Sequence, residues 1–168
     1  MSADNGEQED PIVVDESDDD EDPIEEDQLN EYREMVGNLG VFPDKVKINS
    51  LSMVAEDHAE SKKNAKAIYN VIRESLISKM VSTDRKLPLV YLIDSILKNV
   101  KGKYIPVIEA DATHWLPVVY HALPEDGRAK LKKVYNLWKD AGVFSEASWK
   151  KMGTCFTATT SASSSSAD

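Results

Sequence analysis

The chain has 168 residues, with 30 Asp and Glu against 20 Lys and Arg, and a single cysteine. That length suits one sizeable domain rather than two, and one cysteine excludes an internal disulfide framework or a cysteine-built metal site and fits a reducing compartment. The net charge of −10 hides two unlike parts: residues 1–27 carry 14 acids and no base, which leaves 30 − 14 = 16 acids against 20 bases, or +4, from Gln28 onward.

The acidic stretch comes first. It is too poor in apolar residues to offset chain entropy, so residues 1–27 are expected to be disordered. Within it Ile12, Val13 and Val14 precede DESDDDED. This is the pattern of a SUMO-interacting motif, in which a β-prone strand adds to the modifier's sheet edge and acids meet its basic rim. Ser17, ahead of three aspartates, resembles an acid-directed kinase site, and phosphate there would add to the negative charge.

From Gln28 the apolar spacing is helical. Leu29, Tyr32, Met35, Val36 and Leu39 mark a first helix; Ile48, Leu51, Val54 and Ala55 a second; Ile68, Tyr69, Ile72, Leu76 and Met80 a third. Asp44 after Pro43 is placed to cap the second, Ser61 stands near the start of the third, and Pro88 falls in the first turn of a fourth, LPLVYLIDSILKNV, with Gly102 after its end. Further helices are expected over 104–110, over 113–122 with Pro117 in the first turn, over 126–140 and over 145–152. The count is about eight short helices and no strand. Residues 28–152 form the domain, and the polar, Ser-rich segment 153–168 is a second expected disordered tail. No apolar run approaches the roughly 18 residues a membrane span needs, and the start lacks the blocks of a signal peptide, so a soluble intracellular protein is expected.

The fourth helix is the informative one, because Asp94 sits inside an apolar run. At about 100° per residue, Leu87, Val90, Tyr91, Leu97, Lys98 and Lys101 share its face, while Leu92, Ile93, Ile96 and Val100 cover much of the rest. A carboxylate among apolar groups must receive hydrogen bonds, either from a neighbouring helix or from an incoming ligand, and the ligand is the expected donor. Catalysis finds little support. His58, His114 and His121 are too scattered for metal-ligand spacing, Asp111 reads as a helix cap, no glycine-rich phosphate loop exists, and Cys155 has no fixed base. Neither an enzyme nor a cofactor is expected.

Three segments in order, INSLSMVAEDHAE, LPLVYLIDSILKNVKGKYI and AKLKKVYNLWKDAGVF, resemble the CTD-interacting domain (CID), the module that binds the C-terminal tail of the largest RNA polymerase II subunit. The most specific element is D-S-I-x-K-N, here Asp94, Ser95, Ile96, Lys98 and Asn99, and the likeness is greatest to the branch in pre-mRNA 3′-end cleavage and termination factors. The resemblance implies an all-α, right-handed superhelix, ENTH/VHS-like, of about eight helices. Its second, fourth and seventh members would line a groove for a phosphorylated Y-S-P-T-S-P-S repeat. Asp94 would accept a hydrogen bond near the repeat's tyrosine, beside Lys98, and Val90, Tyr91 and Leu137 would meet its rings.

For the phosphate the seventh helix offers Arg128, Lys130, Lys132 and Lys133. Relatives that read a phosphate at the second heptad position place an arginine five residues before the helix-seven tryptophan. Counting back from Trp138 gives Lys133, which keeps the charge and loses the bidentate fork, so looser choice among phosphates is expected. Asn99 faces away from Asp94 and reads as a helix-end residue, and Asp44 stands where relatives carry serine or asparagine, an acid that would repel a nearby phosphate. Other 3′-end processing factors are implied partners and the nucleus the implied location. Two rivals are a membrane-trafficking adaptor of the ENTH or VHS type, disfavoured by the acidic entry, and a direct RNA binder, which lacks aromatics interleaved with basic residues.

Overall fold

The structure, a computed structural model, describes residues 21–167, with side chains as far as residue 156. Ile12, Val13, Val14 and Ser17 lie outside the described residues. Seven α-helices follow one another: α1 (Glu26–Gly37), α2 (Lys45–Glu56), α3 (Lys62–Ile77), α4 (Lys86–Ser95), α5 (Tyr104–Ala122), α6 (Glu125–Ala141) and α7 (Glu146–Ala167). A 3₁₀ turn (Thr83–Arg85) leads into α4, and a π turn (Ile96–Val100) continues it. No strand occurs among the described residues.

Local chemistry sets the helix ends. Asp44 caps α2, accepting from the backbone N–H groups of Val46 at 2.9 Å and Lys47 at 3.3 Å, and the Ser61 hydroxyl accepts from Asn64 N–H to cap α3. The last carbonyls of α3 meet an unusual partner. Lys86 is buried and donates to the carbonyls of Ser75 and Ser78 at 2.8 and 2.6 Å, neutralising a helix C-terminus while fixing where α4 begins. Burial lowers the Lys86 pKa.

Packing joins helices close in the chain, most heavily those two apart. α3 lies against α1, α4 and α5, α5 against α7, and α2 against α4 and its π turn. Ile68, Ile72 and Leu76 from α3, Leu92, Ile93 and Ile96 from the α4 segment, and Trp115, Leu116 and Val119 from α5 are all buried in one core. Two phenols pin the carbonyls of α2: Tyr32 donates to Leu51 at 3.1 Å and Tyr104 to Ala55 at 2.7 Å. The Asp111 carboxylate ties α5 to α3 by accepting from the Tyr69 hydroxyl and from Arg73 Nε at 2.6 Å.

Several expectations are corrected. The segments expected as two helices, 104–110 and 113–122, are one: α5 runs unbroken with Pro117 inside it, so the described residues hold seven α-helices. Apolar contacts along both flanks hold that helix together despite the donor that Pro117 lacks. Asp111 therefore stands mid-helix and is a cross-helix acceptor, not a cap. The packed chain also starts before residue 28, because buried Asn64 accepts from Ile24 N–H at 2.9 Å and donates to Asp22 carbonyl at 2.8 Å. At the other end α7 continues past Met152. Phe156 is buried, with its ring 4.8 Å from those of Tyr120 and Tyr135, and burial pushes the Cys155 thiol up to about 11.

The π turn ends sharply. Lys101 N–H donates to Ile96 carbonyl at 2.8 Å, Lys101 has φ 61°, and Gly102 follows at φ +53°. A Cβ on Gly102 would lie 2.6 Å from the Ala59 carbonyl oxygen and 2.9 Å from Ala59 Cβ, so the loop passes too close for any side chain. Gly102→Ala is expected to destabilise the domain by at least about 2 kcal/mol, read as a lower urea midpoint at unchanged slope. Burial also raises the Tyr32 and Tyr104 hydroxyls far above the ordinary value. The fold holds these protons at pH values where the unfolded chain loses them, so stability falls as pH climbs through about 10. Urea titrations between pH 8 and 11 should show this, with a shallower fall in Tyr32→Phe.

Candidate functional site

A groove of about 560 Å³ runs between α2 and the α4 segment, lined by Pro43, Lys45, Ile48, Asn49, Tyr91, Asp94, Ser95, Lys98 and Asn99. Its two walls are joined at the Ser52 and Ser95 hydroxyls, 2.8 Å apart, and Asn99 Nδ2 donates to Ser95 Oγ at 3.3 Å. The apolar face of α4 is committed to the core, which leaves Tyr91, Asp94 and Ser95 at the surface, each half-buried.

Asp94 receives its hydrogen bonds from within the protein. Trp138 Nε1, on α6, donates to Asp94 Oδ1 at 2.7 Å, and Lys98 Nζ lies 3.2 Å from Oδ2. The neighbouring helix, not a ligand, supplies the strong donor, which reverses the expected choice. The carboxylate nevertheless stays open: its side chain is 18% exposed where it lines the groove, while the indole that holds it is 1% exposed. One oxygen is thus held by the buried indole, and the other is paired with a half-exposed ammonium that also lines the groove.

The remaining expected residues separate. Val90 is completely buried in the core, so it supports the wall from behind and cannot touch an occupant. Leu137 is exposed, but it stands on α6 and does not line the groove. Arg128 is engaged: its Nε donates to Tyr120 carbonyl at 2.9 Å, a terminal nitrogen donates to His121 carbonyl at 3.0 Å, and its guanidinium lies over the Tyr120 ring. It closes the C-terminus of α5, where a cation meets the unpaired carbonyls, and is not an open phosphate ligand. Lys132 reaches toward the Phe156 ring, 6.0 Å from its centroid. Lys133 is exposed, with no hydrogen bond or ion pair among the described residues. Asp44 keeps its capping role at the mouth of α2.

Lys45, Ile48, Asn49 and Trp138 went unassigned in the sequence. For Trp138 a signal was present: a core indole N–H needs an acceptor, and Asp94 needed a donor. Among the described residues no three His, Cys, Asp or Glu side chains gather as metal ligands, and no helix is long and apolar enough to cross a membrane.

An all-helical superhelix with a groove of mixed polarity, set around one held carboxylate and flanked by lysines, has the form of a protein-interaction module. Residues 32–152, most of the chain, match the CID domain family. The chain belongs to that family, whose members bind the C-terminal tail of RNA polymerase II. The crystal structure of the RPR of Pcf11 has the same fold, with a TM-score of 0.69 at 19% identity over 77% of this chain and 98% of that one.

The Trp138–Asp94 bond should be measurable as coupling. Trp138→Phe and Asp94→Asn are each expected to lower stability, and the double variant should lose about 1 kcal/mol less than their sum in urea melts.

Proposed function

We infer that this chain binds the phosphorylated heptad-repeat tail of the largest RNA polymerase II subunit and, in the nucleus, couples transcription to pre-mRNA 3′-end processing and termination. The observation that carries this reading is the placement of Asp94. It lines the groove with one oxygen committed to Trp138 and the other paired only with the exposed Lys98 ammonium, at the D-S-I-x-K-N string that likens the chain to CTD readers. A carboxylate whose position is fixed by the indole accepts a hydrogen bond from an incoming peptide with only the exposed Lys98 ammonium to move aside. Such a bond to a charged acceptor is worth on the order of 1.5 to 3 kcal/mol, enough to set the peptide's register.

Tyr91 and Ile48 line the same groove and offer apolar surface to the repeat's rings. Lys133, exposed on α6, supplies the charge for a phosphate at the second heptad position. As a point charge on a flexible stem it attracts phosphate without the geometric discrimination of a guanidinium, so its contribution is largely long-range.

Fluorescence anisotropy with heptad peptides, unmodified or phosphorylated at the second, fifth or seventh position, tests the reading against wild type, Asp94→Asn and Lys133→Ala. Wild type should prefer the second-position phosphate. Asp94→Asn should lose at least about fivefold in affinity, equivalent to roughly 1 kcal/mol, and Lys133→Ala should flatten the salt dependence. Equal binding of every peptide by every variant would remove the mechanism.

A further inference from the structure

Lys98 occupies the same carboxylate oxygen that a ligand would use. Asp94 Oδ1 is taken by the buried Trp138 indole, so Oδ2 is the oxygen left to the groove, and Lys98 Nζ stands 3.2 Å from it. The lysine side chain is 51% exposed and itself lines the groove, so its ammonium is held at one point but is not sealed in place. An ion pair this open is weak, and breaking it lowers a ligand's affinity by about twofold.

We propose that Lys98 is a displaceable latch on Asp94 that makes the groove discriminate phosphorylated from unmodified peptide. A peptide that donates to Oδ2 releases the Lys98 ammonium into the groove. If the peptide carries no phosphate, the ammonium returns to water and the lost ion pair is uncompensated. If it carries a phosphate near the donating group, the freed ammonium moves to that phosphate, and a stronger charge-assisted contact replaces the one given up. The arm of a lysine is short enough that only a phosphate close to the Asp94 donor is served. One side chain therefore penalises the wrong ligand and rewards the right one, and specificity is the sum of both effects. The latch deepens the tail-binding reading above and rests on it.

Lys98→Ala separates the two effects by sign. With the peptide set already described, the unmodified peptide should bind Lys98→Ala about twofold tighter than wild type, because no pair has to be broken. The phosphopeptide that wild type prefers should bind about fivefold weaker, so the preference ratio falls about tenfold. Loss of a generally attractive charge would instead weaken both peptides, and Lys101→Ala, an exposed neighbour outside the groove lining, provides that comparison. Side-chain ammonium NMR reads the latch directly: the Lys98 signal should shift on adding the preferred phosphopeptide, while the Trp138 indole N–H stays hydrogen-bonded. An unchanged preference ratio in Lys98→Ala, or weaker binding of the unmodified peptide, would overturn the latch while leaving tail binding intact. Failure of wild type to bind any of the peptides would overturn both.

Discussion

The hydrogen bond from Trp138 to Asp94 joins α6 to α4 through residues 44 apart in the chain, and the groove takes its chemistry from that contact. Neither partner is stable alone at its position. A buried indole N–H without an acceptor and a half-buried carboxylate without a donor each carry a desolvation cost of order 1 to 3 kcal/mol. Together they cancel, and the remaining carboxylate oxygen is oriented as a by-product. The α2 wall is fixed just as firmly, by Tyr32, Tyr104 and the Ser52–Ser95 contact, so both sides of the groove are set before anything enters it. Binding to such a site loses little conformational entropy in the protein.

Much of the helical layout was legible because apolar spacing and caps are local properties. Asp44, Ser61 and Pro88 end up in the roles their positions suggest. What could not be read were the long-range polar pairings. Asp94 visibly required a donor, but the identity of that donor depends on where α6 lands, and no local pattern carries that information. Asp111 failed the same way. Beside Pro117 it looked like a cap between two short helices, whereas the phenol of Tyr69 and the guanidinium of Arg73 across the interface give it another use. Val90 shows the limit of a helical wheel: it shares an angular sector with Asp94, yet it is fully buried, and only the aspartate reaches the groove.

Charge clusters mislead in a related manner. Arg128, Lys132 and Lys133 read as one basic face, but the fold divides them. Arg128 is consumed by two carbonyls and an aromatic ring at the end of α5, Lys132 lies toward Phe156, and Lys133, like Lys130, stays uncommitted among the described residues. Lys45 was passed over, although the proline and capping aspartate before it fix the start of α2 and hence carry this lysine to the groove. Counting cations along a helix measures field strength, not ligand geometry.

The groove's charges are arranged in a way that favours register over raw attraction. Lys45 and Lys98 flank the lining while Asp94 stands among them, and the capping carboxylate of Asp44 adjoins Lys45. A uniformly basic groove would hold a multiply phosphorylated tail in many registers of similar energy. In the proposed complex a phosphate shifted out of place meets a carboxylate, and like charges at contact distance are costly in a partly desolvated cleft. Under that proposal the acid acts twice, accepting from the correctly placed donor and repelling the misplaced anion. Because each term is small, discrimination in the proposed complex comes from their difference between registers.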